Sequence, residues 1–518
     1  ATTEIYTLSL HDALPIYAGE SFSADNLILV LCRCGTHPVQ KRGKDWRKQC
    51  SLVTEMAAMR HGEVRTLALG LGRTYSDSRC GGGPALECTG IGKMNQGNPM
   101  KSKTLFVTCA LFAAFCAEAR KPNYDEAQIK PYVNADPLTF LNGKKLASRN
   151  EWPARRKEIV EIFSREMYGQ PLPAPETVVT EMFESGKTLD DQAVREQVRM
   201  WFKKDKSGPS INWLIVRPAY AQGPVPVIVM LNYRGNQELL TDPEVPVMQG
   251  WVRNGKYVKD HRVQESSRGA LRRTDSVTQF PIETIIARGY AVMTACYAEV
   301  TPDPDRDSSP KEPVKAYQDR MAYTGVFDLF PGIRDPKRND NPTSLGAWAW
   351  AISRAVDYIE RDPVFDAKKI VATGCSRLAK APLLAASRDE RIAVVIPNQT
   401  GGGGVPLARR DFGENVSTEM NSFTHWYCEA YNKYVDNEEN MLFDQHFLVA
   451  SIAPRRILVQ GFNSPWFDTK GEYLSCKAAS CVWDFLGLPG LPDHPFPEDF
   501  SKVCVGPYIG YYRRAGQH

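Results

Sequence analysis

After residue 120 the sequence has no apolar run approaching the roughly 20 residues that a membrane-spanning helix needs. It also has almost no excess charge: 64 Lys and Arg stand against 60 Asp and Glu, a net charge of +4. With that balance, and with no basic tract interleaved with aromatics, nucleic acid is excluded as a partner. Cysteine is sparse in the same stretch, limited to Cys296, Cys375, Cys428, Cys476, Cys481 and Cys504. None stands in a C-x-x-C with a second pair or nearby histidines, which speaks against zinc, and there are too few for a disulfide scaffold. Gly70-Leu71-Gly72 lacks the third glycine and the βαβ context of a phosphate loop. Internal repeats, low-complexity tracts and linkers are missing too, so one domain from about residue 120 to the end is the simplest partition. What the chain has is 42% hydrophobic against 24% charged residues, ample for a large core.

Residues 100–119, MKSKTLFVTCALFAAFCAEA, set Lys101 and Lys103 ahead of a short apolar stretch that ends on Ala117-Glu118-Ala119. A charged start, a short apolar middle and an A-x-A end make a secretory signal peptide, with the mature chain expected to begin at Arg120. Residues 3–16, TEIYTLSLHDALPI, closely resemble the conceptual translation of a sequencing-library adaptor, and the stretch up to residue 99 has no sustained period of 3.6 or 2. Residues 1–99 are therefore expected to be foreign upstream translation without order, 100–119 a leader, and 120–518 the folded domain of a secreted or periplasmic protein.

In that domain Asn150 can cap a helix through Glu151 to Met167, with Ile159, Ile162, Phe163 and Met167 on one face and Gly169 closing it. Short β-rich runs follow at 213–216, 225–231 and 291–295, then a helix-period stretch at 345–360, and further strands at 392–396, 457–460 and 508–512. Strands alternating with helices predict an α/β fold, a three-layer α/β/α sandwich with a mainly parallel sheet and its ligand crevice at the carboxyl ends of the strands.

Residues 369–380, KIVATGCSRLAK, run from a β-branched stretch through Gly374 to Ser376 and into a helix-compatible segment. This is the pattern of a nucleophile elbow, in which a tight strand-to-helix turn exposes a serine hydroxyl and aims helix N-terminal N–H groups at a developing oxyanion. It departs from G-x-S-x-G, because Leu378 stands where the second glycine usually does.

The elbow and its surroundings resemble the glucuronoyl esterase family (carbohydrate esterase family 15). The likeness is carried by residues 152–169, 231–236 (LNYRGN), 280–292 (FPIETIIARGYAV), 374–380 (GCSRLAK), 409–414 (RRDFGE), 443–446 (FDQH) and 465–474 (PWFDTKGEYL). It implies an α/β-hydrolase fold and cleavage of methyl-glucuronate esters that join xylan to lignin. It further implies Ser376 as nucleophile, Arg377 as oxyanion donor with a guanidinium near the developing charge, and Lys380, Glu414 and Trp466 as grips on the sugar hydroxyls. The residue chemistry agrees. Lys380 lies one helical turn after the serine, a Glu414 carboxylate suits a vicinal diol, and Trp466 offers an indole donor and a flat face for a pyranose. Glu414 could equally be a helix-start carboxylate and Trp466 a packed aromatic.

For the base, His518 is preferred: it follows a strand-like run and matches the family's glycine-x-histidine position. The family continues into a closing helix after this histidine, so the domain is expected to be truncated here. His425 and His446 read as structural histidines. The family places its acid either just after the strand that follows the elbow or just before the tryptophan, and here those positions read Gln399 and Ser464. Neither carries charge, and an acid-to-amide change in a comparable triad costs about 10⁴ in turnover. Asp468 is the nearest replacement; its other reading is a turn or helix-cap aspartate.

The function expected is thus a secreted, monomeric serine esterase that forms an acyl-enzyme on a plant cell-wall glucuronoxylan or lignin-carbohydrate ester, with no metal and no organic cofactor. Alternatives are a general carbohydrate acyl esterase, such as an acetyl xylan esterase, and a catalytically impaired carbohydrate-binding descendant.

Overall fold

A computed structural model describes residues 120–273, 280–306, 313–498 and 503–514. The expected leader, the stretch before it and His518 lie outside these residues. Ten strands form one sheet: β1 (Val179–Thr188), β2 (Ala193–Trp201), β3 (Ser210–Pro218), β4 (Val225–Asn232), β5 (Ala291–Cys296), β6 (Phe365–Cys375), β7 (Val394–Asn398), β8 (Arg456–Phe462), β9 (Val503–Val505) and β10 (Ile509–Arg514). Its order is β1-β2-β3-β5-β4-β6-β7-β8-β10-β9. From β5 across to β10 neighbours run parallel. β1 to β3 extend one side antiparallel and β9 closes the other.

Side chains alternate between two apolar layers along the central strands. Val227 and Val229 of β4, Ile370 and Ala372 of β6 and Ile457 and Val459 of β8 enter one layer, while Ile228, Val371 and Leu458 enter the other. The first layer is covered by helices α1 (Trp152–Glu166), α3 (Ser344–Ile359) and α4 (Arg377–Arg388). The second holds Ile282, Ile285 and Ile286 of α2 (Ile282–Ala287). Both faces of the sheet are buried, the three-layer α/β arrangement expected of alternating strands and helices.

The expected helix at 150–167 forms as α1, with Ile159, Ile162, Phe163 and Met167 no more than 1% exposed. Its entry differs: Ser148 and Glu151 make the capping box of a 3-10 turn that leads in, and Pro153 occupies the first helical turn, so Asn150 is not the cap. Gly169 ends the segment at φ +74°, where a Cβ would fall 2.0 Å from the Asn341 carbonyl oxygen. Thr343 caps α3 by accepting from the Gly346 N–H at 3.2 Å. No disulfide joins the cysteines of the described residues.

Candidate active site

Strand β6, ending at Cys375, delivers Ser376 to the carboxyl edge of the sheet, where it holds φ +57° and ψ −131° before α4 begins at Arg377. A non-glycine residue in that region is strained, and such strain collects at functional turns. The turn is pinned by the Ser376 N–H donating to the Asn398 carbonyl at 3.0 Å. It is possible only because Gly374 has no side chain: a Cβ there would lie 1.8 Å from the Leu378 carbonyl oxygen. Leu378, where a second elbow glycine is usual, is 1% exposed and serves the core instead. The Tyr233 hydroxyl donates to the Cys375 carbonyl at 2.6 Å, holding the loop after β4 over the elbow.

Arg377 and Lys380, on the first turn of α4, enter two separate buried polar groups. Arg377 is ion-paired with Asp303. That carboxylate also accepts the Trp426 indole N–H at 2.7 Å and lies 2.8 Å from His425 Nε2. Burial would raise the Asp303 carboxyl, but Arg377, then His425 and Trp426, hold it well below the usual range. Lys380 lies 3.3 Å from Glu414 Oε2 and 3.3 Å from Glu419 Oε1, with its ammonium 4.9 Å from the Trp426 ring centre. Burial pushes Glu419 up to about 8 against the pull of Lys380, and the Tyr427 hydroxyl donates to it. Glu414 is kept close to the loop after β7 because Gly401 and Gly402 are bare: Cβ atoms there would come within 2.3 Å of its Oε2 and 2.2 Å of its carbonyl oxygen. Trp466 is half-buried on the 3-10 turn Pro465–Phe467, and its carbonyl accepts the Glu414 N–H at 2.8 Å.

A family model described as glucuronyl esterase of fungi matches residues 326–487. The carbohydrate esterase MZ0003, from an unknown prokaryotic organism, is 35% identical over 407 residues, which cover 78% of this chain and 89% of that protein. The chain belongs to the glucuronoyl esterase family. A glucuronoyl esterase from Solibacter usitatus shares its structure at a TM-score of 0.67 with 33% identity, over 76% of this chain and 95% of the other. A 4-O-methyl-glucuronoyl methylesterase of Schizophyllum commune is 25% identical over 73% of this chain and 80% of its own length.

Within this member of the family the two expected acid positions lie at neighbouring strand ends. Gln399 follows β7 directly, buried at φ +49°, with its N–H donating to the Gln460 carbonyl of β8 at 2.7 Å; Ser464 precedes the turn that carries Trp466. Asp468 caps helix α5 (Thr469–Ala479) by accepting the Gly471 N–H at 3.0 Å, and Arg410 binds both of its oxygens. Burial raises its carboxyl above the usual value even against Arg410. Of its two sequence readings, the helix-cap aspartate describes where Asp468 sits.

His425 and His446 are both fully buried, the first on Asp303 and the second with Nε2 2.8 Å from the Ala135 carbonyl oxygen. Sequence reading did not find Asp303, Glu419 or Glu472. Glu472 is fully buried, takes the Thr400 N–H at 2.9 Å and hydroxyl at 3.1 Å on Oε1, and is pushed by burial up to about 8. No spacing rule ties these carboxylates to the elbow, since packing of distant segments brings them there. Among the described residues no helix is long and apolar enough to cross a membrane.

Proposed function

We propose that this chain is a secreted serine esterase that hydrolyses esters of 4-O-methyl-glucuronate, as in glucuronoxylan-lignin linkages. The observation that carries the reading is the strained Ser376 at the mouth of the parallel sheet, with Arg377 and Lys380 on the helical turn that follows it. In this reading the Ser376 hydroxyl attacks the ester carbonyl while the His518 imidazole takes its proton. His518 returns the proton to the departing alcohol, and water then releases glucuronate from the acyl-enzyme. The Arg377 backbone N–H has no intrahelical partner, because it opens α4, and it faces the oxyanion. Lys380 and Glu414 keep donor and acceptor capacity beyond their mutual contact for the sugar hydroxyls, and Trp466 presents a face to the ring.

Asp468, whose oxygens are engaged by Arg410 and Gly471, anchors α5 in this proposal. With Gln399 and Ser464 at the other acid positions, the imidazole works without a dedicated carboxylate and turnover is reduced. The same two neutral residues favour the second reading, a carbohydrate-binding descendant. Turnover of benzyl glucuronate, its loss in Ser376→Ala at unchanged melting temperature, and inertness toward acetylated xylan support the esterase. Glucuronate binding without turnover supports the second reading, and preference for acetylated xylan would replace both with a general acyl esterase.

A further inference from the structure

Asp303 follows β5 and the short helix Tyr297–Val300, 1% exposed and far in sequence from the elbow. Its Oδ2 takes the Arg377 Nη1 ion pair and the Tyr297 hydroxyl at 3.2 Å. Its Oδ1 takes the Trp426 indole N–H at 2.7 Å and faces His425 Nε2 at 2.8 Å. A carboxylate accepts only, so His425 meets it with the Nε2–H donor, and four donors from three chain segments then leave Asp303 no freedom to turn. The Arg377 guanidinium is confined just as closely, its centre 4.8 Å from the Trp426 ring, 5.7 Å from Phe423 and 6.0 Å from Tyr233. Its Nε has no partner among the described residues. Arg377 also lines a cleft of about 220 Å³ with Tyr233 and Tyr297.

We propose that Asp303 is a positioning residue for ester hydrolysis, holding the Arg377 guanidinium against the aromatic wall so that its unspent N–H groups face the reacting carboxyl beside Ser376. The proposal rests on the reading of Ser376 as nucleophile. Arginine is long and rotamer-rich, and a guanidinium presented to a developing charge acts only if its geometry is fixed before reaction. A misplacement of about 1 Å at a reacting centre costs about 10²-fold. Asp303 supplies both the fixed geometry and the counter-charge that lets a cation remain in this desolvated place.

The test is a double-mutant cycle of Asp303→Asn and Arg377→Ala, read as kcat and KM on benzyl glucuronate together with melting temperature. Asp303→Asn is expected to lower kcat by about 10- to 100-fold with KM little changed, and to lower it no further in the Arg377→Ala background. Equal losses in both backgrounds overturn the proposal, because Asp303 would then act on something other than Arg377. Should Asp303→Asn fail to fold, the double variant, which removes both charges of the pair, is expected to recover melting temperature. A double variant no more stable than the single one overturns the proposal as well. If the unaltered protein does not turn over benzyl glucuronate, the esterase reading fails separately. Asp303 is then judged by calorimetric binding of D-glucuronate, which Asp303→Asn must weaken only while Arg377 is present.

Discussion

Arg410 grips Asp468 with two arms of its guanidinium, Nε to Oδ2 at 2.9 Å and Nη2 to Oδ1 at 3.2 Å, and both residues are almost fully buried. Breaking one side of a buried pair costs about 3–5 kcal/mol when the partner is left with no counter-ion, but Arg410 keeps Glu126, whose Oε1 lies 2.7 Å from its Nη2, and the loss is then nearer that of charged hydrogen bonds. Asp468→Asn is therefore expected to lower the stability to chemical denaturation by about 1.5–3 kcal/mol, while kcat per folded molecule stays within a few-fold of the parent. A loss of kcat approaching 10⁴-fold at unchanged stability would return Asp468 to the triad.

Ser464 begins the 3-10 turn that carries Trp466, and its side chain is only half-buried, so a carboxylate fits there without heavy desolvation. Ser464→Asp is expected to raise kcat on benzyl glucuronate by at least about tenfold, a fraction of the roughly 10⁴ that an ionised acid contributes in a complete triad. Steady-state kinetics of the two proteins check this, and an unchanged kcat would mean that no imidazole reaches position 464.

Glu472 gives stability a defined pH slope. Its carboxyl is held up to about 8 in the fold, against 4.5 for an ordinary glutamate. Between these values the unfolded chain has released the proton and the folded chain has kept it, so rising pH favours unfolding by about 1.4 kcal/mol per pH unit. The contribution is fully present below pH 4.5 and lost as pH rises through 8. Glu419, also up to about 8, titrates in both proteins, so the difference between the parent and Glu472→Gln isolates Glu472. The variant is expected to match the parent near pH 4.5 and to become progressively more stable than it up to pH 8. Urea denaturation at several pH values measures this, and parallel curves would refute it.

Gly374 is the position of the elbow that tolerates no side chain. With a Cβ placed 1.8 Å from a backbone oxygen of the following helix, Gly374→Ala must push β6 and α4 apart. It is expected to lower melting temperature and to remove most turnover together, whereas Ser376→Ala removes turnover alone. Circular dichroism melts of the two variants distinguish the cases.

The central strands and α1, α3 and α4 were legible because their residues obey one period each: β-branched runs for strands buried on both faces, and apolar residues three and four apart for helices. β1 was not, since its sequence VTEMFESGKT is an edge strand whose mostly exposed side chains carry charge and polarity instead of a buried stripe. At the site, the elbow pattern pointed to Ser376, while Arg377 and Lys380, on the same turn, took their expected roles from family likeness. Glu414 and Trp466 were reached only through family likeness. Asp303, Glu419 and Glu472 stayed hidden, because a buried carboxylate is recognisable only once the cation or N–H it answers has been folded against it.

The cysteines of the described residues are free thiols, and burial sets their reactivity. Burial lifts the thiols of Cys375 and Cys481 up to about 11 and that of Cys428 up to about 12, so they are poor nucleophiles toward oxidants and alkylating reagents near neutrality. In the native protein these three thiols are expected to react slowly with alkylating reagents at neutral pH and to become reactive once urea has exposed them.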